Sequence, residues 1–169
     1  MKKVVKFGGS SLADAKQFQK VGAIVHADPS RIYVVPSAPG KRFSGDTKVT
    51  DLLYRCYDLA AEGKDFTDPF REIQSRYNEI IQGLGLKYSL EDEFRTIEEN
   101  LKKEPNRDYT ASRGEYLNGR VMAKYLGFTF VDAAEVIFFD QDGQLDENKT
   151  QKKTAEKLSG LKNAVIPGF

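Results

Sequence analysis

The chain has 169 residues, 40% of them hydrophobic and 30% charged, an ordinary balance for one globular domain or a large part of one. Its formal net charge of +1 gives no electrostatic reason to expect a nucleic acid or an anionic membrane as partner. The single cysteine, Cys56, excludes an internal disulfide, and no apolar run is long enough for a membrane span or a signal peptide. We therefore expect a cytoplasmic location.

The first segment predicts a strand, a glycine turn and a helix. The apolar pair Val4-Val5 precedes Lys6-Phe7-Gly8-Gly9-Ser10-Ser11. Two glycines permit a sharp turn close to a ligand, and the N–H groups of a turn and a helix start favour an anion. Lys6 adds a positive charge, and Ser10 or Ser11 can cap the helix. These are the parts of a phosphate-binding turn, without Walker A or GxGxxG spacing. For this motif alone, an ordinary turn with an exposed lysine is the better interpretation.

The next segment predicts a βαβ unit. Apolar residues at helical spacing indicate a helix from Asp14 to His26, and residues 32–35 form a short buried strand. The polar stretch Pro36–Lys48 is predicted to be a loop at the carboxyl end of that strand, where α/β sheets bind ligands. A second helix starts at Thr50 or Asp51.

A helical insertion is predicted at about 66–104. Asp68-Pro69 is a helix-start signal, and Ser89 with Asp92 resembles a capping box for a second helix. The two helices are expected to form an antiparallel pair that covers an end or a face of the sheet.

The remaining segments predict further helices and strands of the same domain. Helices are expected at 109–126 and 150–158, strands at 128–131, 135–140 and 164–166, and a tight turn at Asp142-Gly143. We predict an α/β fold, a three-layer α/β/α sandwich with a mainly parallel sheet. Because the chain stops directly after a core strand, we expect it to be the incomplete N-terminal portion of a domain.

Ser112-Arg113-Gly114-Glu115 is a second notable motif, early in the predicted helix 109–126. Its spacing alone favours a capping box, with Ser112 as N-cap and Glu115 three residues later. Gly114 inside a helix costs roughly 1 kcal/mol relative to alanine. That glycine is better explained if something must pass close to the backbone, which would leave Glu115 free to pair with a ligand ammonium.

The two motifs together resemble those of the aspartate kinases, in the amino-acid kinase superfamily. Supporting segments occur in the expected order over the whole chain: Val35-Pro36-Ser37-Ala38-Pro39-Gly40, Val49-Thr50-Asp51-Leu52-Leu53, Val131-Asp132-Ala133 and Pro167-Gly168-Phe169. The first motif is shared in part with other amino-acid kinases, whereas the combination is more specific. The resemblance implies the amino-acid kinase fold and phosphoryl transfer from ATP, with Mg²⁺, to the side-chain carboxylate of L-aspartate, in a homo-oligomeric enzyme.

The resemblance also implies roles for individual residues. Lys6 would be catalytic, contacting the transferred phosphoryl group, and the phosphate-binding turn would consist of Gly8, Gly9 and Ser10. Glu115 would pair with the amino group of aspartate. The other aspartate contacts implied are Ser37, Thr50 and Phe169. No residue is implied as a metal ligand.

One departure from the family pattern limits this interpretation. The Gly-Arg-Gly-Gly-Ser-Asp motif that follows Pro-Gly-Phe in the family is absent from residues 1–169, as are the nucleotide-binding half and the ACT domains. We therefore expect the substrate-side part of a kinase domain, inactive by itself. Two alternatives remain open: another small-molecule kinase of the superfamily, and a non-catalytic binding or regulatory half-domain.

Overall fold

Four parallel strands form the sheet of the computed structural model, which describes residues 1–169. The strands are β1 (Lys3–Phe7), β2 (Arg31–Pro36), β3 (Thr129–Phe130) and β4 (Ala164–Val165), in the spatial order β1-β2-β4-β3. The pairing places Phe7 beside Pro36, and Val34 beside Val165. The carboxyl ends of β1, β2 and β4 therefore meet at one edge of the sheet.

Six α-helices accompany the sheet. They are α1 (Ala15–His26), α2 (Val49–Ala61), α3 (Thr67–Gly83), α4 (Glu91–Lys103), α5 (Arg107–Leu126) and α6 (Glu147–Ser159). Short 3₁₀ turns lie at Gly9–Leu12 and Ala133–Glu135. None of the helices is long and apolar enough to cross a membrane.

Neighbouring residues of a strand point to opposite faces of the sheet, and the two faces have separate cores. Val34 and Val165 belong to the large core on the side of α1 to α5. On the opposite side, Tyr33 and Ala164 pack with a small cluster that includes Leu158 of α6. The predicted α/β/α layering is thereby confirmed.

The helical pair α3 and α4 packs mainly against α1, α2 and α5. The pair was expected to cover an end or a face of the sheet, but it packs on the outside of the other helices and does not cover the sheet directly. Its core contact is aromatic, because the Phe94 ring meets the rings of Phe70 and Tyr77. Cys56 is fully buried in the same core, where burial raises the pKa of its thiol to about 12.

The predicted strand at 135–140 is wrong. Its first residue, Glu135, ends the 3₁₀ turn Ala133–Glu135, and a single antiparallel bridge joins Phe139 to Leu145. Val136 and Ile137 pack against Ala164 of the sheet and Leu158 of α6. A hydrogen bond also joins the segment to α6, because the Phe138 N–H donates to Thr150 Oγ1 at 3.0 Å. The turn at Asp142-Gly143 is confirmed, with Gly143 at a φ of 76°.

Two predicted helix caps also differ from the structure. Asp14, which caps α1 through the Gln17 N–H, takes the role proposed for Ser10 or Ser11. Helix α3 begins at Thr67, so Asp68 is not its N-cap, and Asp65 accepts the Thr67 N–H instead.

Candidate active site

A cavity of about 440 Å³ opens at the edge where β1, β2 and β4 end. Ligands bind at this edge in open α/β sheets. The cavity is lined by Gly9, Ser10, Ser37, Ala38, Pro39, Gly40, Lys41, Lys48, Thr50 and Glu115. These residues come from the glycine turn, the loop after β2, the first turn of α2 and helix α5.

The glycine turn and the loop after β2 meet backbone to backbone. The Gly40 N–H donates to the Gly9 carbonyl oxygen at 2.8 Å. A Cβ on Gly9 would lie 2.8 Å from the Ala38 carbonyl oxygen, and one on Gly40 would lie 2.6 Å from the Gly9 carbonyl carbon. Both positions therefore require glycine, because the two backbone segments lie too close together to leave room for a Cβ atom. By contrast, a Cβ on Gly8 would meet nothing within 4 Å.

The first turn of α2 forms another wall of the cavity. The Val49 N–H donates to Pro39 at 3.2 Å, which closes the loop that precedes the helix. Lys48 occupies the N-cap position without a side-chain capping bond, and Thr50 follows in the first turn. Two lysines of the lining, Lys41 and Lys48, and the partial positive charge of a helix N-terminus make this side of the cavity favourable for an anion.

Glu115 lines the cavity, and one oxygen of its carboxyl group is unsatisfied. Its Oε2 atom is buried and has no hydrogen-bond partner. Burial raises the pKa of this carboxyl above its ordinary value, while the nearby Lys6 ammonium opposes the rise. The Gly168 N–H and the Ser37 hydroxyl also oppose it, although neither makes a full hydrogen bond to Oε2. A buried, unpaired carboxylate oxygen is costly, so a cationic partner would be stabilising there.

The position of Glu115 shows that the predicted capping box is wrong. Helix α5 begins at Arg107, with Asn106 as N-cap accepting the Tyr109 N–H. Ser112 therefore lies inside the helix, where its hydroxyl donates to the Tyr109 carbonyl oxygen at 2.7 Å. Glu115 is accordingly free of any capping role.

Gly114 has a packing explanation. A Cβ at this position would lie 2.9 Å from the Ala38 Cβ and 3.1 Å from Leu53 Cδ1. The Tyr77 hydroxyl donates to the Gly114 carbonyl oxygen at 2.6 Å. What passes close to this backbone is thus the loop after β2 and helix α2, and the contact brings Glu115 to the cavity.

The structure brings together most of the residues that the sequence analysis selected. Five of them line one cavity, namely Gly9, Ser10, Ser37, Thr50 and Glu115. Lys6 is exposed at the end of β1 and close enough to Glu115 to influence its pKa. Gly8 is exposed beside the turn, and Phe169 is 56% exposed and does not line the cavity. The roles of all eight residues, including the five that line the cavity, stay predictions.

Two lysines of the cavity wall, Lys41 and Lys48, were not predicted as site residues. Both lie in the stretch 36–48 that was assigned to the ligand-binding edge, so their charge was the available signal. The residues that hold this loop were not predicted either. Asp46 is buried, its carboxylate accepts three hydrogen bonds from Arg42, and it pairs with the buried guanidinium of Arg76 at 3.1 Å.

The sequence profile of the amino acid kinase family matches residues 1–169, the whole of the chain. The chain belongs to the amino acid kinase family.

Two relatives of this amino acid kinase chain carry the same activity name. Aspartokinase 3 of Bacillus subtilis is 39% identical over 140 residues, which cover 79% of this chain and 31% of the relative. The crystal structure of an aspartate kinase from Clostridium acetobutylicum superposes with a TM-score of 0.96 at 49% identity, covering 100% of this chain and 39% of that one. The chain thus spans about a third of the length of the relatives it matches.

A more distant structure supports only the fold of this amino acid kinase chain and nothing about its activity. It is aspartokinase III of E. coli in complex with aspartate and ADP, with a TM-score of 0.78 at 21% identity, covering 100% of this chain and 41% of that one.

The chain itself contains no group of three or more His, Cys, Asp or Glu side chains arranged to hold a metal ion.

Proposed function

We propose that this chain forms the substrate side of an aspartate kinase, which transfers the γ-phosphoryl group of ATP to the side-chain carboxylate of L-aspartate. The observation that carries the proposal is the Glu115 side chain, which lines a cavity of about 440 Å³ and whose buried Oε2 atom lacks a hydrogen-bond partner. The aspartate kinase of Clostridium acetobutylicum, 49% identical over the whole chain, supports it.

The proposed aspartate site pairs the substrate ammonium with Glu115. The cavity also offers hydroxyl groups from Ser37 and Thr50, which can donate to a substrate carboxylate. Phe169, at the exposed end of the chain, would have to turn toward the cavity to contact the same substrate. A charge-assisted hydrogen bond to Glu115 would offset the burial that raises the pKa of its carboxyl.

The proposed phosphate site consists of Lys6, Gly8, Gly9 and Ser10. The Lys6 ammonium neutralises charge on the transferred phosphoryl group, and the turn supplies N–H and hydroxyl donors. This donor set fits ATP phosphates. Mg²⁺ bound with the nucleotide would neutralise further phosphate charge, and no side chain of residues 1–169 is proposed as its ligand. No side-chain nucleophile is needed, because the substrate carboxylate attacks the phosphorus.

The residues lining the cavity favour an amino acid over the other substrates of related kinases. Carbamate and acetylated amino acids have no free ammonium to pair with Glu115, and a substrate without that cation would leave Oε2 buried and unpaired. Glutamate carries the ammonium but is one methylene longer. The discrimination between aspartate and glutamate must therefore come from the distance between Glu115 and the phosphate-binding turn.

The decisive experiment is a substrate panel on the natural gene product. ATP is combined in turn with aspartate, glutamate, N-acetylglutamate, carbamate and a nucleoside monophosphate, and ADP release is measured in a coupled assay. Hydroxylamine traps the acyl phosphate as a hydroxamate. We expect turnover and trapping with aspartate. Turnover with another substrate would replace the proposal by that kinase, and ligand binding without turnover would favour a regulatory half-domain.

We also propose a cytoplasmic, homo-oligomeric enzyme. The reduced state expected for the cytoplasm suits Cys56, which is unpaired and fully buried. Oligomerisation is inferred from the resemblance to aspartate kinases, and light scattering of the natural protein tests it.

A further inference from the structure

Arg76 lies on α3, outside every motif that the sequence analysis connected with the site, yet its side chain is only 2% exposed. Its guanidinium donates to the carbonyl oxygens of Gly40 at 2.6 Å and Thr47 at 3.0 Å, both in the loop after β2. A longer contact of 3.4 Å reaches the Ala13 carbonyl oxygen, directly after the 3₁₀ turn Gly9–Leu12. One side chain thus contacts both backbone segments that frame the cavity.

A buried carboxylate completes this arrangement. Asp46 Oδ2 lies 3.1 Å from Arg76 Nη1, and the Asp46 side chain is 4% exposed. Arg42 binds Asp46 through its backbone N–H and through its guanidinium at 2.9 and 3.0 Å. Arg42 also contacts Glu79 of α3 at 3.1 Å. The loop is therefore closed on itself by Arg42, and it is attached to α3 by the exposed Arg42–Glu79 contact and by the buried Arg76.

Stability alone does not explain a buried Arg–Asp pair. Replacing such a pair by well-packed apolar residues is often neutral or stabilising, because desolvation offsets the attraction between the charges. Apolar residues, however, cannot hold carbonyl oxygens at fixed directions, whereas a guanidinium offers five donors in a rigid fork. What the Arg76–Asp46 pair does, therefore, is fix the position of the backbone at Gly40 and Thr47.

We propose that Arg76 is a positioning residue, which together with Asp46 holds the loop 40–48 against the glycine turn and so sets the places of Lys41, Lys48 and Thr50 in the cavity. The inference rests on the proposed function for the identity of the substrate. It assigns the helical insertion a part in the active site, although no residue of α3 or α4 lines the cavity.

Hydrogen exchange of the unliganded natural protein tests the loop directly. The variants are Arg76→Gln, Arg76→Lys and Asp46→Asn, and the matched control is Arg71→Gln, an exposed arginine of the same helix. Losing charged hydrogen bonds favours loop opening by roughly one to two powers of ten. Amide exchange in 41–48 should accelerate by about tenfold or more in Arg76→Gln and Asp46→Asn, and less in Arg76→Lys.

The location of the change separates positioning from general destabilisation. Exchange in β2 and α5 should stay at the wild-type rate, and Arg71→Gln should change nothing. Uniform acceleration over the domain, or unchanged exchange in 41–48, would overturn the proposal. If Arg76→Gln does not fold, Asp46→Asn decides by the same criterion, because it keeps the shape of the side chain and removes its charge.

Kinetics then connect the loop to the substrate. The aspartate KM should rise in Arg76→Gln by about tenfold or more, with partial recovery in Arg76→Lys and a normal KM in Arg71→Gln. A loosened loop with an unchanged KM would refute the positioning role. Failure of the wild-type protein to use aspartate would refute the proposed function instead, and the exchange measurement would still decide whether Arg76 holds the loop.

Discussion

The side-chain amide of Asn118 donates a hydrogen bond of 2.6 Å to the carbonyl oxygen of Ser37. Asn118 lies three residues after Glu115, on the same side of α5, and it is fully buried. One turn of this helix therefore holds the first residue of the loop after β2 and also carries the carboxylate that borders the cavity. The two parts of the proposed aspartate site are positioned by a single rigid element.

Asn118→Ala should lower the free energy of unfolding. The substitution leaves the Ser37 carbonyl oxygen without its partner and opens a small cavity, which costs about 1–3 kcal/mol for the stranded acceptor alone. Urea denaturation measures the change, and Asn78→Ala, at an exposed position of α3, is the control. Equal midpoints for Asn118→Ala and the control would show that the bond contributes nothing.

Gly9→Ala should destabilise the protein, whereas Gly8→Ala should not. The new methyl group at position 9 meets the Ala38 carbonyl oxygen at 2.8 Å, while that at position 8 meets nothing within 4 Å. Overpacking against backbone typically costs about 1–3 kcal/mol. Thermal unfolding of the two variants checks the difference, and similar melting temperatures would contradict the close contact between the turn and the loop.

Glu115→Gln should raise the melting temperature at neutral pH. Burial raises the pKa of the Glu115 carboxyl in the folded protein, so its ionised form destabilises the fold above that pKa. The destabilisation disappears as pH falls through the raised folded pKa toward the ordinary glutamate pKa of about 4.3. The advantage of glutamine should therefore be larger at pH 7 than at pH 4.5, and an equal difference at both pH values would refute this account.

The same variant should weaken aspartate binding. Losing a charge-assisted bond of about 1.5–3 kcal/mol raises the aspartate KM by roughly one to two powers of ten. The ATP KM serves as the internal control, because Glu115 is assigned to the amino group of aspartate. An unchanged aspartate KM would remove Glu115 from the proposed site.

Lys6→Ala should lower kcat far more than it raises the aspartate KM. Lys6 is assigned to the phosphoryl group, whose charge redistributes in the transition state, so its contribution is greatest there. Steady-state kinetics of the natural protein provide the measurement, with Lys20→Ala, an exposed lysine of α1, as control. A change confined to the aspartate KM would require a different role for Lys6.

Local patterns in the sequence were sufficient for the fold class and for the prediction that the proposed site residues share one edge of the sheet. Apolar spacing located all six helices to within a few residues, and the strands β1, β2, β3 and β4 followed from short apolar runs. Parallel strands place their carboxyl ends at one edge, so the glycine turn and the loop after β2 could be assigned to the same site. The segment 135–140 was misread because its apolar residues pack against α6 without a neighbouring strand to pair with.

Tertiary structure decided where the residues of the motifs lie and what they contact. The spacing of Ser112 and Glu115 fits a capping box as well as a ligand site, and the choice depends on the start of α5 at Arg107, which Asn106 fixes by capping. Gly114 is explained by Ala38 and Leu53, which are distant in sequence. Arg76 and Asp46 are ordinary charged residues in any local pattern. Their burial, and thus their hold on the loop at the cavity, arises only when α3 packs beside that loop, because contacts between distant segments leave no periodic signal in the chain.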